Sequence, residues 1–190
     1  MRRLFALALF TGCLSVLALP TAAQLPAPAQ SHSLAPYVPT PQDVVDRMLS
    51  LAGVTADDVV YDLGCGDGRI VITAAKKFGA RGVGVDIDPD RIKESEANAK
   101  AAGVESLVSF RQQDAMTVDV SAASVVTLYL LSSSNAKLRP ILTSQLRPGA
   151  RIVSHAFGMG DWKPEKTDVF TDAGGTQRTL YRWVTDGTAR

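Results

Sequence analysis

The chain has 190 residues, of which 46% are hydrophobic and 21% are charged, and its formal net charge at pH 7 is +1. This length suits one domain with a sizeable core, and the composition is ordinary for a globular protein. The balanced charge lacks the basic excess that is typical of nucleic-acid-binding domains, so we expect no nucleic acid as a partner.

The first 23 residues have the pattern of a secretory signal peptide. Arg2 and Arg3 give a positive start, residues 4–19 are apolar, and residues 21–23 are small enough for cleavage. Cleavage predicts an exported, periplasmic protein, whereas an uncleaved N-terminus would leave a membrane anchor. Removing residues 1–23 removes two arginines, no acid and one of the two cysteines, so the mature net charge is −1 and no internal disulfide can form.

Residues 24–35 are rich in Pro, Ala and Ser, which predicts a disordered linker, so the domain itself is expected to span residues 36–190. Thr40 and Pro41 are typical of a helix start, with Thr40 as the N-cap, and apolar residues at helical spacing continue that helix to residue 52. Strands and helices then alternate. The predicted strands cover residues 59–63, 82–86, 107–112, 124–131 and 150–157, and the predicted helices cover residues 69–78, 89–102 and 135–146.

Two further strand-like runs, residues 167–171 and 179–185, flank a turn at residues 172–175 and predict a closing hairpin. Strand–helix alternation that ends in a hairpin predicts an α/β fold of the Rossmann-like kind. We therefore expect a doubly wound, mostly parallel seven-stranded sheet with an antiparallel C-terminal edge hairpin.

A glycine-rich turn follows the first strand, in the stretch VVYDLGCGDGR at residues 59–69. Gly64, Gly66 and Gly68 give G-x-G-x-G, whereas a dinucleotide-binding turn has G-x-G-x-x-G, and Arg69 stands where its last glycine would be. The turn is therefore not built for a pyrophosphate. The lack of side chains at Gly64 and Gly66, on either side of Cys65, would instead let an amino-acid group press against the backbone.

Three acids fall at or near the carboxyl ends of the first three strands, where ligands bind in such sheets. Asp86 lies twenty residues after Gly66 and is placed to accept hydrogen bonds from two ribose hydroxyls. Asp114 is placed to accept from an adenine amino group, with the amide of Ala115 beside the ring. Asp62 adjoins the glycines, where a carboxylate repels phosphate and favours a cation. Adenine, ribose and a cationic amino-acid tail together indicate S-adenosylmethionine.

Each acid also has a simpler interpretation. An Asp after a strand is often a turn residue or a helix cap, and for Asp114 this interpretation is as good as the adenine contact. Asp88, two residues after Asp86, is better explained as the cap of the helix that begins at residue 89.

The stretches VVYDLGCGDGR, GVGVDIDP and VSFRQQDA together resemble the cofactor half of the Rossmann-type S-adenosylmethionine-dependent methyltransferases. PYVPTP (residues 36–41), DLGCGDGRIVITAA and RIVSHAF…WKP further resemble the small protein-lysine methyltransferases of the ATP synthase c subunit and adenine nucleotide translocase type. In that family the N-terminal segment lies over the cofactor, so the resemblance implies that Tyr37 and Thr40 lie near the methionine end. The family usually has Glu where this chain has Asp86.

Methyl transfer to an amine needs orientation and a dry site more than a strong base, which fits the absence of an acid–base dyad in the sequence. Tyr129, near the end of the predicted fourth strand, is our candidate catalytic residue because its hydroxyl or ring face could orient an amine; packing within the strand is the alternative. His155 is interpreted as a core or strand-end residue, and Trp162 as a channel wall or a cover for the sheet edge. Two histidines and one mature cysteine do not make a metal site, so we expect no metal.

The sequence thus predicts a monomeric S-adenosylmethionine-dependent methyltransferase that N-methylates a lysine of a protein substrate, with a membrane protein as one candidate. A non-catalytic exported module that binds S-adenosylmethionine or S-adenosylhomocysteine is the alternative, and a small-molecule methyltransferase is another. The predicted signal peptide keeps these alternatives open, because the methyl donor is made in the cytosol.

Overall fold

The computed structural model describes residues 33–189, so the predicted signal peptide and most of the predicted linker lie outside the described residues. The helices are α1 (Gln42–Ala52), α2 (Arg69–Phe78), α3 (Pro89–Ala102) and α4 (Ser132–Gln145). The strands are β1 (Val59–Leu63), β2 (Arg81–Asp86), β3 (Val108–Gln112), β4 (Val125–Leu128), β5 (Arg151–His155), β6 (Lys166–Thr171) and β7 (Gln177–Val184).

The seven strands form one sheet in the order β3-β2-β1-β4-β5-β7-β6. Strands β1 to β5 are parallel, and β7 pairs antiparallel with both β5 and β6. This arrangement confirms the predicted doubly wound, mostly parallel sheet with an antiparallel C-terminal hairpin. The strand order reverses direction between β1 and β4, which is where doubly wound sheets bind their ligands.

Both faces of the sheet are covered. On one face Val60, Val125 and Val153 are buried together with the apolar stripe of α1 and with α2. On the other face Leu128 and Ile152 pack in a second cluster with residues from α4. Full burial of such side chains contributes roughly 1.5–3 kcal/mol each. The polar residues at the carboxyl ends of the strands are thereby held on a rigid support.

Two element boundaries differ from the predictions in ways that matter for the site. Helix α1 begins at Gln42, with Pro41 before it and no side-chain cap, so the expected Thr40 cap is not formed. Strand β4 ends at Leu128 rather than at residue 131, because the carbonyl of Leu131 already accepts from the amides of Ser134 and Asn135 at the start of α4. Residues 129–131 therefore lie beyond the carboxyl end of β4, between this strand and α4.

Within residues 33–189 no helix has both the length and the apolar character needed to cross a membrane.

Candidate active site

A cavity of about 430 Å³ opens at the carboxyl ends of the parallel strands. This volume lies in the usual range for small-molecule sites. The structure brings all the sequence-predicted site residues together in its wall: Tyr37, Thr40, Asp62, Gly64, Cys65, Gly66, Asp86, Asp114, Ala115 and Tyr129. Most of them meet because the parallel strands end at the same edge of the sheet, whereas Tyr37 and Thr40 belong to the segment before α1, which packs over that edge.

The glycine turn forms the floor of the cavity. Gly64, Gly66 and Gly68 have φ angles of +84°, +53° and +79°, which side chains rarely adopt. A Cβ atom on Gly66 would lie 2.5 Å from Cε2 of Tyr37, and one on Gly64 would lie 3.0 Å from Cδ2 of Leu130. The turn therefore requires glycine both for its backbone shape and for the close approach of its neighbours.

Asp86 connects the end of β2 to the glycine turn. Its Oδ2 accepts from the amide of Gly66 at 2.9 Å, and its Oδ1 accepts from the amide of Asp88 at 3.0 Å. A carboxylate offers about four lone-pair positions, so both oxygens can accept further bonds from a ligand. Asp88 caps α3 as predicted, because its Oδ1 accepts from the amide of Asp90 at 2.8 Å.

Asp62 is buried at the end of β1, with 2% of its surface exposed. Burial is the main cause that raises its pKa to about 7; the hydrogen bond from Thr127 Oγ1, at 2.7 Å, opposes this rise, and the charges of Asp86 and Asp67 add to it. A carboxylate in this position gains from a nearby positive charge, which would restore its ionised form. The structure therefore places a buried carboxyl group beside the glycine turn, and a nearby cation would stabilise its ionised form.

Asp114 has the turn role that was its alternative interpretation. Its Oδ1 accepts from the amide of Met116 at 2.9 Å and so starts the short 3-10 helix Ala115–Thr117. The same residue also lines the cavity together with Ala115 and Gln113, so the turn fixes the carboxylate at the cavity wall.

Residues 33–40, which we call the strap, also line the cavity. The strap is held at both ends: Ser134 Oγ donates to the carbonyl of Leu34 at 2.7 Å, and Arg69 Nη1 donates to the carbonyl of Thr40 at 2.7 Å. Between them the ring of Tyr37 lies below the guanidinium of Arg91, whose Cζ is 4.6 Å from the ring centroid.

Sequence reasoning assigned residues 33–35 to the disordered linker and did not identify Arg69 or Arg91 as part of the site. Arg69 did stand out, as the residue in place of the last glycine of a dinucleotide turn. No local pattern indicates its partner, the carbonyl of Thr40, which lies 29 residues away.

Tyr129 lies beside two other aromatic side chains beyond the ends of β4 and β5. Its ring stacks on His155, with centroids 4.0 Å apart and planes inclined by 29°, and its centroid is 6.2 Å from that of Phe157. His155 is fully buried, in agreement with its interpretation as a core residue at a strand end. Burial, together with the nearby charge of Arg178, lowers the pKa of His155 to about 4, so the ring is neutral at physiological pH.

Trp162 packs against Trp183 of β7, with centroids 6.0 Å apart, and its carbonyl accepts from the indole N–H of Trp183 at 2.9 Å. Trp162 therefore covers the second core cluster on one face of the sheet and not an edge strand, since β7 lies between β5 and β6. In residues 33–189 no group of three or more His, Cys, Asp or Glu side chains is arranged to hold a metal ion.

The fold and the cavity together define a Rossmann-like methyltransferase, whose cofactor is S-adenosylmethionine. The family model described as the ANTKMT methyltransferase domain matches residues 62–166, more than half of the chain. The chain belongs to this family.

Two curated relatives show how far the similarity extends. A protein-lysine N-methyltransferase of Saccharolobus islandicus is 47% identical over 150 residues, which cover 78% of this chain and 92% of that protein. The lysine N-methyltransferase of Xenopus laevis that is named for the ATP synthase c subunit is 31% identical over 73% of this chain and 61% of its own length.

A solved structure is also similar. The crystal structure of an RNA methyltransferase from Salinibacter ruber, in complex with S-adenosyl-L-homocysteine, is 57% identical and has a TM-score of 0.75. The match covers 80% of this chain and 97% of that one. These relatives agree on the class of reaction, and their names differ in the methyl acceptor.

Proposed function

We propose that this protein transfers a methyl group from S-adenosylmethionine to the side-chain amine of a lysine in a protein substrate. The observation that carries the proposal is the 47% identity to the archaeal protein-lysine N-methyltransferase, 92% of which this chain covers. The relative that is named as a lysine methyltransferase for an ATP synthase component supports the same acceptor.

The residues present fit the cofactor. Asp62, buried and with a raised pKa, gains from the ammonium group of the methionine part. The glycine turn presents backbone without side chains to the cavity at Gly64 and Gly66, where that part would lie. Asp86 retains acceptor capacity for ribose hydroxyls, and Asp114 is fixed at the cavity wall for the adenine amino group.

The cofactor supplies a methyl group on a positively charged sulfur, which is already activated for transfer. The protein then has to orient the acceptor amine, exclude water and receive the amine in its neutral form. Desolvation lowers the pKa of a lysine, so a site that the strap closes would favour the neutral amine without a strong base. Tyr129, which lines the cavity, is the residue we assign to contact with the amine.

RNA is the second candidate acceptor, because the 57% identical Salinibacter ruber structure is described as an RNA methyltransferase. Two features of this chain weigh against RNA. Its formal net charge is only +1, and residues 128–132 read LYLLS rather than the Asn/Asp-Pro-Pro-aromatic signature of enzymes that methylate adenine or glutamine amides.

Export remains part of the proposal, on the basis of residues 1–23. Cleavage would place the domain in the periplasm, and retention would hold it at a membrane, where a membrane protein would be the accessible substrate. A domain that binds the cofactor but transfers nothing is the alternative that export favours.

The test is to incubate the purified full chain with isotope-labelled S-adenosylmethionine and, separately, total protein and total RNA of the source organism. Mass spectrometry then locates the label. We expect methylated lysines in one or a few proteins, and an Asp86→Ala variant should abolish them while Asp88→Ala should not. Label in RNA alone would replace lysine by RNA as the acceptor, and cofactor binding without any transfer would favour the non-catalytic module.

A further inference from the structure

The backbone after β5 contains a strained residue that controls where Phe157 lies. Ala156 has a φ of +64°, the one positive φ angle at a non-glycine residue in the described part of the chain. The amide of Phe157 donates to the carbonyl of His155 across this residue at 2.8 Å, which is the bond of a γ-turn. A γ-turn of this hand is rare and strained, and such strain persists only where the surrounding structure enforces it.

A buried amide enforces the turn. Asn135, fully buried at the start of α4, donates through Nδ2 to the carbonyl of Phe157 at 3.1 Å and to Ser154 Oγ at 3.1 Å. Ser154 Oγ in turn donates to the carbonyl of Phe157 at 2.7 Å. These bonds return the chain towards β4, so the ring of Phe157 comes within 6.2 Å of the ring of Tyr129.

His155 contacts Tyr129 in the same arrangement. Neither of its ring nitrogens makes a hydrogen bond to the described residues, although burial of an unpaired polar group costs free energy. The ring of His155 stacks instead on the ring of Tyr129, with 4.0 Å between the two centroids. The imidazole therefore acts through its flat face, as a phenyl ring could.

We propose that Tyr129 and Phe157 form an aromatic shelf that binds the side-chain ammonium of the acceptor lysine as it enters, before this group releases its proton to solvent and reacts as the neutral amine, and that His155 is a positioning residue that holds Tyr129 in place. The inference rests on the proposed function, because it names the group that receives the lysine. Tyr129 lines the cofactor cavity and Phe157 lies outside that lining, so the proposed shelf begins at the cavity wall and extends away from it. Aromatic faces attract ammonium groups, including those that already carry methyl groups, and lose little rotamer freedom on binding.

The test uses a ligand that cannot react. Nα-acetyl-trimethyl-lysine amide has a fixed positive charge, and its isostere with carbon in place of the nitrogen is neutral. Both are titrated by NMR into the full chain saturated with S-adenosylhomocysteine. We expect the charged ligand to bind at least fivefold more tightly than the neutral one, and Tyr129→Leu and Phe157→Leu each to weaken it about two- to fivefold. Phe170→Leu is the matched control and should change nothing, because Phe170 is an aromatic residue of β6 that contacts Arg47 instead.

The positioning role has its own comparison. His155→Phe should retain affinity for the charged ligand within twofold, because a phenyl ring still stacks, whereas His155→Leu should lose as much as Tyr129→Leu. The circular-dichroism spectrum, measured on every variant, should be unchanged and shows that the fold is intact. Equal binding of the charged and neutral ligands, or normal binding by Phe157→Leu, would overturn the shelf. Equal damage from His155→Phe and His155→Leu would overturn the stacking role. If the two rings bind the charged ligand as expected while labelled donor modifies RNA and no protein, the rings are a cation site, but the lysine proposal fails and with it the role of the shelf in holding the acceptor.

Discussion

The strap offers the sharpest test of how the cavity closes. Its anchors are one charge-assisted hydrogen bond from Arg69, one neutral hydrogen bond from Ser134 and the contact of Arg91 with Tyr37. From typical values of about 1.5–3, 0.5–1.5 and 0.5–1 kcal/mol, the three together contribute roughly 2.5–5.5 kcal/mol. Ordering eight residues costs about 1–2 kcal/mol per residue, a cost that the prolines in the strap reduce.

This ordering cost exceeds what the three anchors contribute, so the anchors alone do not hold the strap closed. A ligand beneath it then adds the contacts that keep it closed. We therefore expect Tyr37→Ala to lower the affinity for S-adenosylhomocysteine about 5- to 30-fold and to lower methyl transfer further, while the melting temperature changes by less than about 3 °C. The matched control is Val169→Ala, since Val169 of β6 is 55% exposed and does not line the cavity, and it should leave affinity and turnover within twofold.

Calorimetry measures the affinity, and circular dichroism measures the melting temperature of the same samples. Deleting residues 24–40 should act in the same direction as Tyr37→Ala and leave the sheet folded. The contrary result is a melting temperature lowered by many degrees with unchanged affinity per folded molecule. The strap would then be a structural part of the domain that packs beside α1, and closure would have no role in binding.

Three further outcomes follow from the geometry of the cavity. Asp86→Ala should weaken cofactor binding, measured by calorimetry, by about 2–4 kcal/mol, because both the ligand and the glycine turn lose a charged acceptor. Asp88→Ala should lower the stability of the protein by about 1 kcal/mol and change the affinity for the cofactor little. Gly66→Ala should weaken binding at least tenfold, because its φ of +53° disfavours a side chain and the new Cβ would meet Tyr37 at 2.5 Å. The pKa of Asp62 is higher in the folded protein than in the unfolded chain, so the folded protein retains a proton that the unfolded chain has released. The free energy of unfolding without ligand should therefore fall by up to roughly 4 kcal/mol between pH 4 and pH 7. Urea unfolding should show that Asp62→Asn flattens this slope.

Most of the fold could be predicted because its signals are local. Strand β1 and helices α2 and α3 have the predicted bounds, since a short apolar run, a glycine at each helix end and the Asp88 cap all lie within the element or next to it. The end of β4 could not be predicted in the same way. Residues 129–131 are as apolar as a strand, and only the turn into α4 removes them from the sheet.

The positions on the cofactor side of the site could equally be predicted from the sequence. Asp62, Asp86 and Asp114 each follow or end a predicted strand, and parallel topology alone brings such positions to one edge. The additional bonds of Asp86 to Gly66 and Asp88 were not foreseen, because they depend on how the turn curls back over β2.

The contacts on the acceptor side of the site could not be predicted from the sequence, because they join residues that are far apart in the chain. The carbonyl of Leu34 meets Ser134 at a separation of 100 residues, and Tyr129 meets His155 only because β4 and β5 are neighbours in the sheet. The return of Phe157 towards Tyr129 depends on the backbone of Ala156, a residue type that carries no turn signal. Periodicity and spacing do not encode these contacts.

The relatives share one reaction and carry different acceptor names. The family model covers residues 62–166, which contain the glycine turn and all three strand-end acids, and it leaves the strap outside. The same range contains residues 129–131 and Phe157, so the strap is the part of the cavity wall that this family model does not describe. In the function proposed above, the acceptor contacts a smaller set of groups: the strap, residues 129–131, and the turn that carries Phe157. In this chain those groups are aromatic and apolar around one buried acid, with Tyr37, Val38 and Leu131 among the exposed hydrophobic residues. Such a rim suits an aliphatic side chain with a cationic end better than a phosphate backbone, which would require unpaired basic groups at the same place.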